Sequence, residues 1–266
     1  MTVSIERSGP VTTVIHARPE ARNAMDVASA EALVEAFLAF DRDPDAAVAV
    51  FWGAGGAFCA GWDLKLAASL AGRSEPLKGL DFPDDASPAP RGPMGPSRLE
   101  LSKPVIAAVA GPAVAGGFEL ALWCDLRVME EDAYFGVYCR RWGIPLIDGG
   151  TVRLPRIVGQ GRALDIILTG RKVAAEEAFR IGLAERIAPK FKAREVAEEL
   201  AHEIARFPQE CVRADRRSVY LQHGLAVREA LRREWENSVH VVEQEGVAGA
   251  ARFSSGKGRG GDFGAI

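Results

Sequence analysis

Two glycine-rich segments carry the chemistry this chain could do. The first is Gly53-Ala-Gly-Gly-Ala-Phe-Cys-Ala-Gly61, which runs on into Trp62-Asp63-Leu64-Lys65. The second is Gly111-Pro-Ala-Val-Ala-Gly-Gly-Phe-Glu119. Each follows a continuous apolar run, Ala46 to Trp52 and Pro104 to Ala110, of the length that suits a strand covered on both faces. Each leads into the start of a helix. Backbone N–H groups at a helix entry have no partner within the helix and carry partial positive charge. Two of them aimed at one point make an oxyanion hole, which stabilises a developing enolate or tetrahedral oxygen. Glycine at 116 and 117 lets a ligand approach the backbone. Glu119 follows in the first helical turn, among Phe118, Leu120, Ala121 and Leu122. Burial there raises a carboxyl pKa, whereas the helix N-terminus lowers it. Ordinary turn chemistry for the loops, and simple dipole complementation for Glu119, are the alternatives.

The elements that must position these residues are legible on either side. Val3 to Ile5 and Val11 to His16 flank the turn Ser8-Gly9-Pro10 and predict a β-hairpin. Ala30, Leu33, Val34, Phe37 and Phe40 recur at helical spacing, and Asp43-Pro44 ends that helix. Leu126 to Met129 predicts a further strand. Between the two glycine-rich segments, Ala71 to Arg98 holds six of the chain's 15 prolines. That composition predicts a mobile surface loop, of a length that is usually functional or disordered. After Gly149 the pattern is mostly helical. Leu225 to Glu245 is an amphipathic helix whose apolar stripe must be covered, by its own domain or by a neighbouring subunit. Strands alternating with helices, then helices alone, predict an α/β fold. The core spans residues 1–200, and a helical C-terminal region with a glycine-rich tail spans 201–266.

The chain has 266 residues, 48% hydrophobic and 26% charged, which excludes collagen, coiled coil and wholesale disorder. A net charge of −3 gives no basic footprint for nucleic acid. No apolar stretch is long enough to cross a membrane, and the N-terminus has no signal-peptide core. Cys59, Cys124, Cys139 and Cys211 show no metal-site spacing. The expectation is a cytoplasmic protein with reduced thiols, no metal, and neither a membrane nor a nucleic-acid partner. Gly256 to Gly261 matches GxGxxG literally, but no strand precedes it and no helix comes after it, so a dinucleotide has nowhere to dock. His202-Glu203 begins a zincin pattern that Arg206 breaks.

Phe58 to Lys65, together with Lys103 to Asp125, resembles the crotonase (enoyl-CoA hydratase/isomerase) superfamily. Arg18-Pro19 to Asn23-Ala24, Phe135-Gly136, Gly149 to Leu154 and Thr169 to Glu185 are similar to that family as well. The resemblance covers about Ile5 to Phe253. It implies a spiral of ββα turns with C-terminal helices that build a homotrimer or a dimer of trimers. It implies an acyl-CoA substrate, with coenzyme A as part of the substrate and no separate cofactor. The oxyanion donors fall on the backbone N–H groups of Trp62 and Gly116. Ala60, Trp62, Asp63, Leu64, Lys65 and Gly116 line the CoA site, with Lys65 as a point-charge partner for phosphate. Lys257 or Arg259 reaches a neighbour's CoA site.

The family's hydratases use two glutamates. The first maps to Glu119. The second maps to Cys139, and a thiol is a poor substitute for a carboxylate at neutral pH. Asp148, in Pro145-Leu-Ile-Asp-Gly-Gly-Thr151, lies in a turn resembling that of the related dihydroxynaphthoyl-CoA synthases, where an aspartate lies in the active site. It serves either as the second carboxylate or as a helix cap. Arg140 and Arg141 either bind an acidic acyl group or pair with surface carboxylates. The nearest activity is enoyl-CoA hydratase, with Glu119 and Asp148 handling protons. Another crotonase reaction (hydrolase, isomerase or decarboxylase) and a non-catalytic acyl-CoA-binding role are the alternatives.

Overall fold

The computed structural model describes residues 2–72, 74, 77–85, 87–258 and 260. The N-terminal hairpin forms as expected. Strand β1 (Val3–Ser8) pairs antiparallel with β2 (Val11–His16) across Gly9, whose φ of 56° suits the tight reversal. Helix α1 (Val27–Arg42) starts at Asp26, whose carboxylate accepts from Ser29 N at 2.7 Å. At its other end the buried Lys103 Nζ donates to the Phe40 and Asp43 carbonyls, adding a partner to the last carbonyls of the helix. Then come β3 (Val48–Gly53), the short α2 (Leu64–Ala68), β4 (Val105–Val109), β5 (Pro112–Val114) and α3 (Gly116–Trp123). After them lie β6 (Leu126–Glu130), β7 (Tyr134–Gly136), α4 (Gly150–Val158) and α5 (Gln160–Thr169).

The six-stranded sheet has the order β1-β2-β3-β4-β6-β9, where β9 is Arg186–Ala188, and it is parallel from β2 onward. Its middle strands are apolar on both faces because both are covered. Ala49, Phe51, Ala107 and Met129 face the cluster that α1 and α3 complete. Val48, Val50, Ile106, Ala108 and Val128 face Ala193, Ala197 and Ala201 of α7 (Ala193–Ala205). A second sheet, β5-β7-β8, uses β8 (Lys172–Ala174), which leads into α6 (Ala175–Arg180). Strands β8 and β9 lie in the stretch expected to be helical. Three residues are too few to set a period-2 pattern.

Two further expectations are corrected. The stretch from Ala71 to Arg98 is not a surface loop throughout, because residues 92–97 are buried. Gly92 and Gly95 exchange backbone hydrogen bonds at 3.0 and 2.9 Å, closing a tight turn around Pro93-Met94. Gly95, with φ 81°, sits where a Cβ would meet the Ala30 backbone of α1. The C-terminal helix is also interrupted. After α8 (Gln209–Leu221), α9 (Val227–Val241) passes through a π-helical turn, Val242–Gly246, into α10 (Val247–Ser254). The wide turn lets Glu245 accept from Glu210 N and Cys211 N, satisfying the first amides of α8. On α9, Leu231 and Trp235 remain 59% and 67% exposed, so the described residues leave the apolar stripe uncovered.

His16 ends β2 fully buried, and among the described residues neither ring nitrogen has a hydrogen-bond partner. Burial first, and then the Arg18 charge, push its pKa down to about 4. The folded chain therefore binds this proton less readily than the unfolded chain, so stability falls as pH drops from about 6.5 towards 4. The expected loss is about 3 kcal/mol, read from urea midpoints across that range. His16→Leu is expected to flatten that part of the curve. An unchanged slope in the variant would assign the acid sensitivity elsewhere.

Candidate active site

The two glycine-rich segments meet through backbone pairing. Cys59 bridges Ala113 in parallel: Cys59 N donates to Pro112 O at 3.2 Å, and Val114 N donates to Cys59 O at 3.0 Å. The two segments therefore run side by side in the same direction, and the helices they lead into begin at the same end. On its other side the first segment pairs with Met25. Met25 N donates to Gly61 O at 2.8 Å, and Asp63 N donates to Met25 O at 2.9 Å. In that bridge the flanking residues face Met25, so the N–H of Trp62 turns away from it. Gly61, with φ 93°, makes the change of direction, and a Cβ on it would lie 3.1 Å from Gly116 N.

Gly116 N is the first amide of α3. Among the described residues neither it nor Trp62 N donates to a protein acceptor, and both residues line one pocket. Ala115, just before, holds φ 54° and ψ −127°, a conformation that costs a non-glycine residue of the order of 1–3 kcal/mol. Its N–H donates to Gly136 O at 2.8 Å, which ties the strained corner to β7. Gly117 does not face a ligand, in contrast to the expectation. A Cβ there would overlap the backbone of Cys59, so its bare Cα lets α3 pack on the first segment.

Arg18 to Asn23 braces this arrangement from behind. The buried Asn23 accepts from Arg18 N at 2.7 Å and donates to the Ala54 and Ala57 carbonyls at 2.8 and 2.7 Å. Arg18 bridges Asp63 and Asp26 at 3.2 and 3.3 Å. Asp63 in turn accepts from Lys65 N at 3.0 Å as the cap of α2, while the Lys65 side chain is exposed.

Glu119 and Asp148 come together in the pocket, 3% and 4% exposed. Glu119 Oε1 accepts from Asp148 N at 2.9 Å and Gly150 N at 2.8 Å. Asp148 Oδ1 accepts from Met94 N at 3.1 Å and from the Ser97 hydroxyl. Asp148 does not cap α4. Gly149, with φ 99°, occupies that position, and the first amide of the helix, Gly150 N, donates to Glu119. Each carboxylate thus has one oxygen fixed by two donors, and a second with no hydrogen-bond partner among the described residues. Burial, and after it the Asp148 charge, pushes Glu119 up to about 7. Burial also raises Asp148, against the hydrogen bonds from Ser97 and Met94. Cys139 lies in the same pocket as a free, buried thiol, raised by burial and then by the Glu119 charge. It therefore stays protonated and cannot replace a carboxylate. Arg140 donates to Ile167 O and Arg141 lies 4.0 Å over the Tyr138 ring, and among the described residues neither pairs with a surface carboxylate, one of the two roles expected.

The sequence did not mark Met25, Met94, Ser97 or Arg153. The one available signal was Gly92-Pro-Met-Gly95, a glycine-flanked turn with proline at its second position. Among the described residues no group of three His, Cys, Asp or Glu side chains is placed to hold a metal, and no helix is long and apolar enough to cross a membrane.

A parallel sheet flanked by helices, with two glycine-rich segments that turn free amides into one pocket, is the arrangement of a crotonase-type enzyme. The family model described as enoyl-CoA hydratase/isomerase matches residues 6–254. Enoyl-CoA hydratase EchA19 of Mycobacterium tuberculosis is 36% identical over 244 residues, covering 89% of this chain and 87% of that protein. The carnitinyl-CoA dehydratase of Salmonella arizonae is 37% identical over 233 residues, covering 87% and 85%. The crystal structure of enoyl-CoA hydratase EchA1 from Mycobacterium marinum superimposes with a TM-score of 0.85 at 30% identity, covering 96% of both chains. The chain belongs to the enoyl-CoA hydratase/isomerase family of crotonase-fold enzymes.

Proposed function

We propose that this chain adds water to the double bond of a 2-enoyl-CoA thioester and, in reverse, dehydrates a 3-hydroxyacyl-CoA. The observation that carries this reading is the pair of buried carboxylates, each with one free oxygen, beside two unpaired backbone amides. The thioester oxygen sits between Trp62 N–H and Gly116 N–H, where enolate charge develops. The pair holds one proton near neutrality. Asp148, ionised, takes a proton from water as its oxygen bonds to the β-carbon. Glu119, protonated, gives its proton to the α-carbon. Exchange through solvent then returns the proton from Asp148 to Glu119. The hydratase and dehydratase names of the relatives support the same pair of reactions read in opposite directions.

Coenzyme A enters as part of the substrate, and the chemistry needs no separate cofactor. Ala60 to Lys65 forms its binding edge, with the exposed Lys65 near phosphate. The uncovered stripe on α9 is the surface that assembly into a trimer or a dimer of trimers would bury. Lys257 is exposed, which is compatible with an approach to a neighbour's CoA site, whereas Arg259 lies outside the described residues.

The test is a panel of 2-enoyl-CoA thioesters from short to long, monitored by loss of the conjugated absorbance and by product mass. A mass gain of one water establishes hydration. Release of free CoA thiol, or a shifted double bond with no mass change, would replace this reading with a hydrolase or an isomerase. Tight binding with no conversion would make the chain an acyl-CoA-binding protein.

A further inference from the structure

The Asp148 carboxylate is positioned from outside its own turn. Both donors to Oδ1, Met94 N and the Ser97 hydroxyl, belong to the tight turn at Gly92–Arg98. That turn is locked in three ways. Gly95 seats it on α1. Gly92 leaves room for the carboxylate, because a Cβ there would overlap both Ser97 Oγ and Asp148 Oδ1. Arg153 of α4 donates to the Asp148 carbonyl at 3.0 Å and to the Ser97 carbonyl at 2.8 Å, strapping the two segments together. Ser97 is 1% exposed and does not line the pocket.

We propose that Ser97 is a positioning residue for proton transfer: its hydroxyl, with Met94 N–H, occupies Oδ1 of Asp148 and leaves Oδ2 to exchange the proton with water. The proposal rests on the catalytic role of Asp148 in enoyl-thioester hydration. A donor to the ionised carboxylate favours that form, so its removal raises the pKa of Asp148. The charged and titratable groups that bear on the same carboxylate are Glu119 of α3, Arg153 of α4, Arg98 at the end of the turn, and the buried Cys59 thiol. None of them changes in a Ser97 variant.

The experiment compares wild type with Ser97→Cys, which keeps a weak donor, and Ser97→Ala, which keeps none. The expected kcat falls in that order, by about 10-fold to 10²-fold in the alanine variant, with KM near wild type. The acid limb of the kcat–pH profile moves upward in the same order, by about one unit in the alanine variant, and the alkaline limb stays. A carboxyl titration by ¹³C NMR, assigned with Asp148→Asn, moves with it. A lowered melting temperature in Ser97→Ala, with profile and titration unmoved, would reduce Ser97 to packing. An inactive Asp148→Asn beside such an unmoved Ser97→Ala removes this proposal alone. Wild-type turnover in Asp148→Asn removes the functional reading and this proposal with it.

Discussion

Replacing Glu119 with glutamine lowers kcat for enoyl-thioester hydration by about 10²–10⁴, with KM near its wild-type value. The substitution separates chemistry from structure. Asp148 N and Gly150 N both donate to Oε1, so they select the amide oxygen of the glutamine and hold the side chain in place. The amide nitrogen then stands where the free Oε2 stood, and it can neither accept nor release the catalytic proton. The pH dependence gives a second signature. Glu119 is pushed up to about 7, so the wild-type profile should fall on its alkaline side near that pH, and the glutamine variant should lack this limb. Stability should move the opposite way. Glu119 binds its proton more tightly in the folded chain, so its contribution is full at low pH and is lost as pH rises from about 4.5 through about 7. The variant escapes that loss, which amounts to about 3 kcal/mol. A slower enzyme that is more stable at alkaline pH cannot be explained by misfolding. Unchanged kcat in a folded Glu119→Gln would remove Glu119 from the reaction.

Asp148→Asn has an effect of similar size, about 10²–10⁴ in kcat, for a different reason. The asparagine oxygen keeps the hydrogen bonds from Met94 N and Ser97, so the turn at Gly92–Arg98 stays seated. The variant loses the base that receives the proton from water. The negative charge beside Glu119 is lost too, and that charge is one cause of the raised Glu119 pKa. Any residual activity should therefore show its alkaline limb at lower pH than wild type. Because the two carboxylates share one proton, the double variant should be little slower than either single one. Additive losses would show that they act independently. On the proposed reading this role falls to Asp148, since the Cys139 thiol is raised by burial and then by the Glu119 charge.

Much of this site is legible in local sequence. Ala46–Trp52 and Pro104–Ala110 are apolar without alternation because both faces of the sheet are covered, and this pattern locates β3 and β4 to within two residues at either end. Glycines after each strand point to the loops that carry the free amides. The hidden parts depend on contacts between distant segments. Nothing near Ser97 signals that its hydroxyl meets Asp148, and nothing near Met25 signals that it orients Trp62. The proline and glycine content of Ala71–Arg98 suggests a loose cover, yet Gly92 and Gly95 are there so that the backbone can approach Asp148 and Ala30. Composition does not distinguish a glycine that loosens a chain from one that lets it pack. Three-residue strands such as β8 and β9 are fixed by their partners and not by their own pattern.

The parallel pairing of Cys59 with Ala113 has a consequence for how such a site tolerates change. Its two amide donors are main-chain atoms, placed by hydrogen bonds between segments, and most side-chain replacements nearby leave them where they are. The two buried carboxylates proposed for acid–base work are side chains on separate elements, each open to replacement by a single substitution. A protein with this fold can therefore exchange its proton-handling groups one at a time without losing its grip on the thioester oxygen. A thiol at position 139, with a carboxylate a few residues on at 148, is the pattern such an exchange would leave.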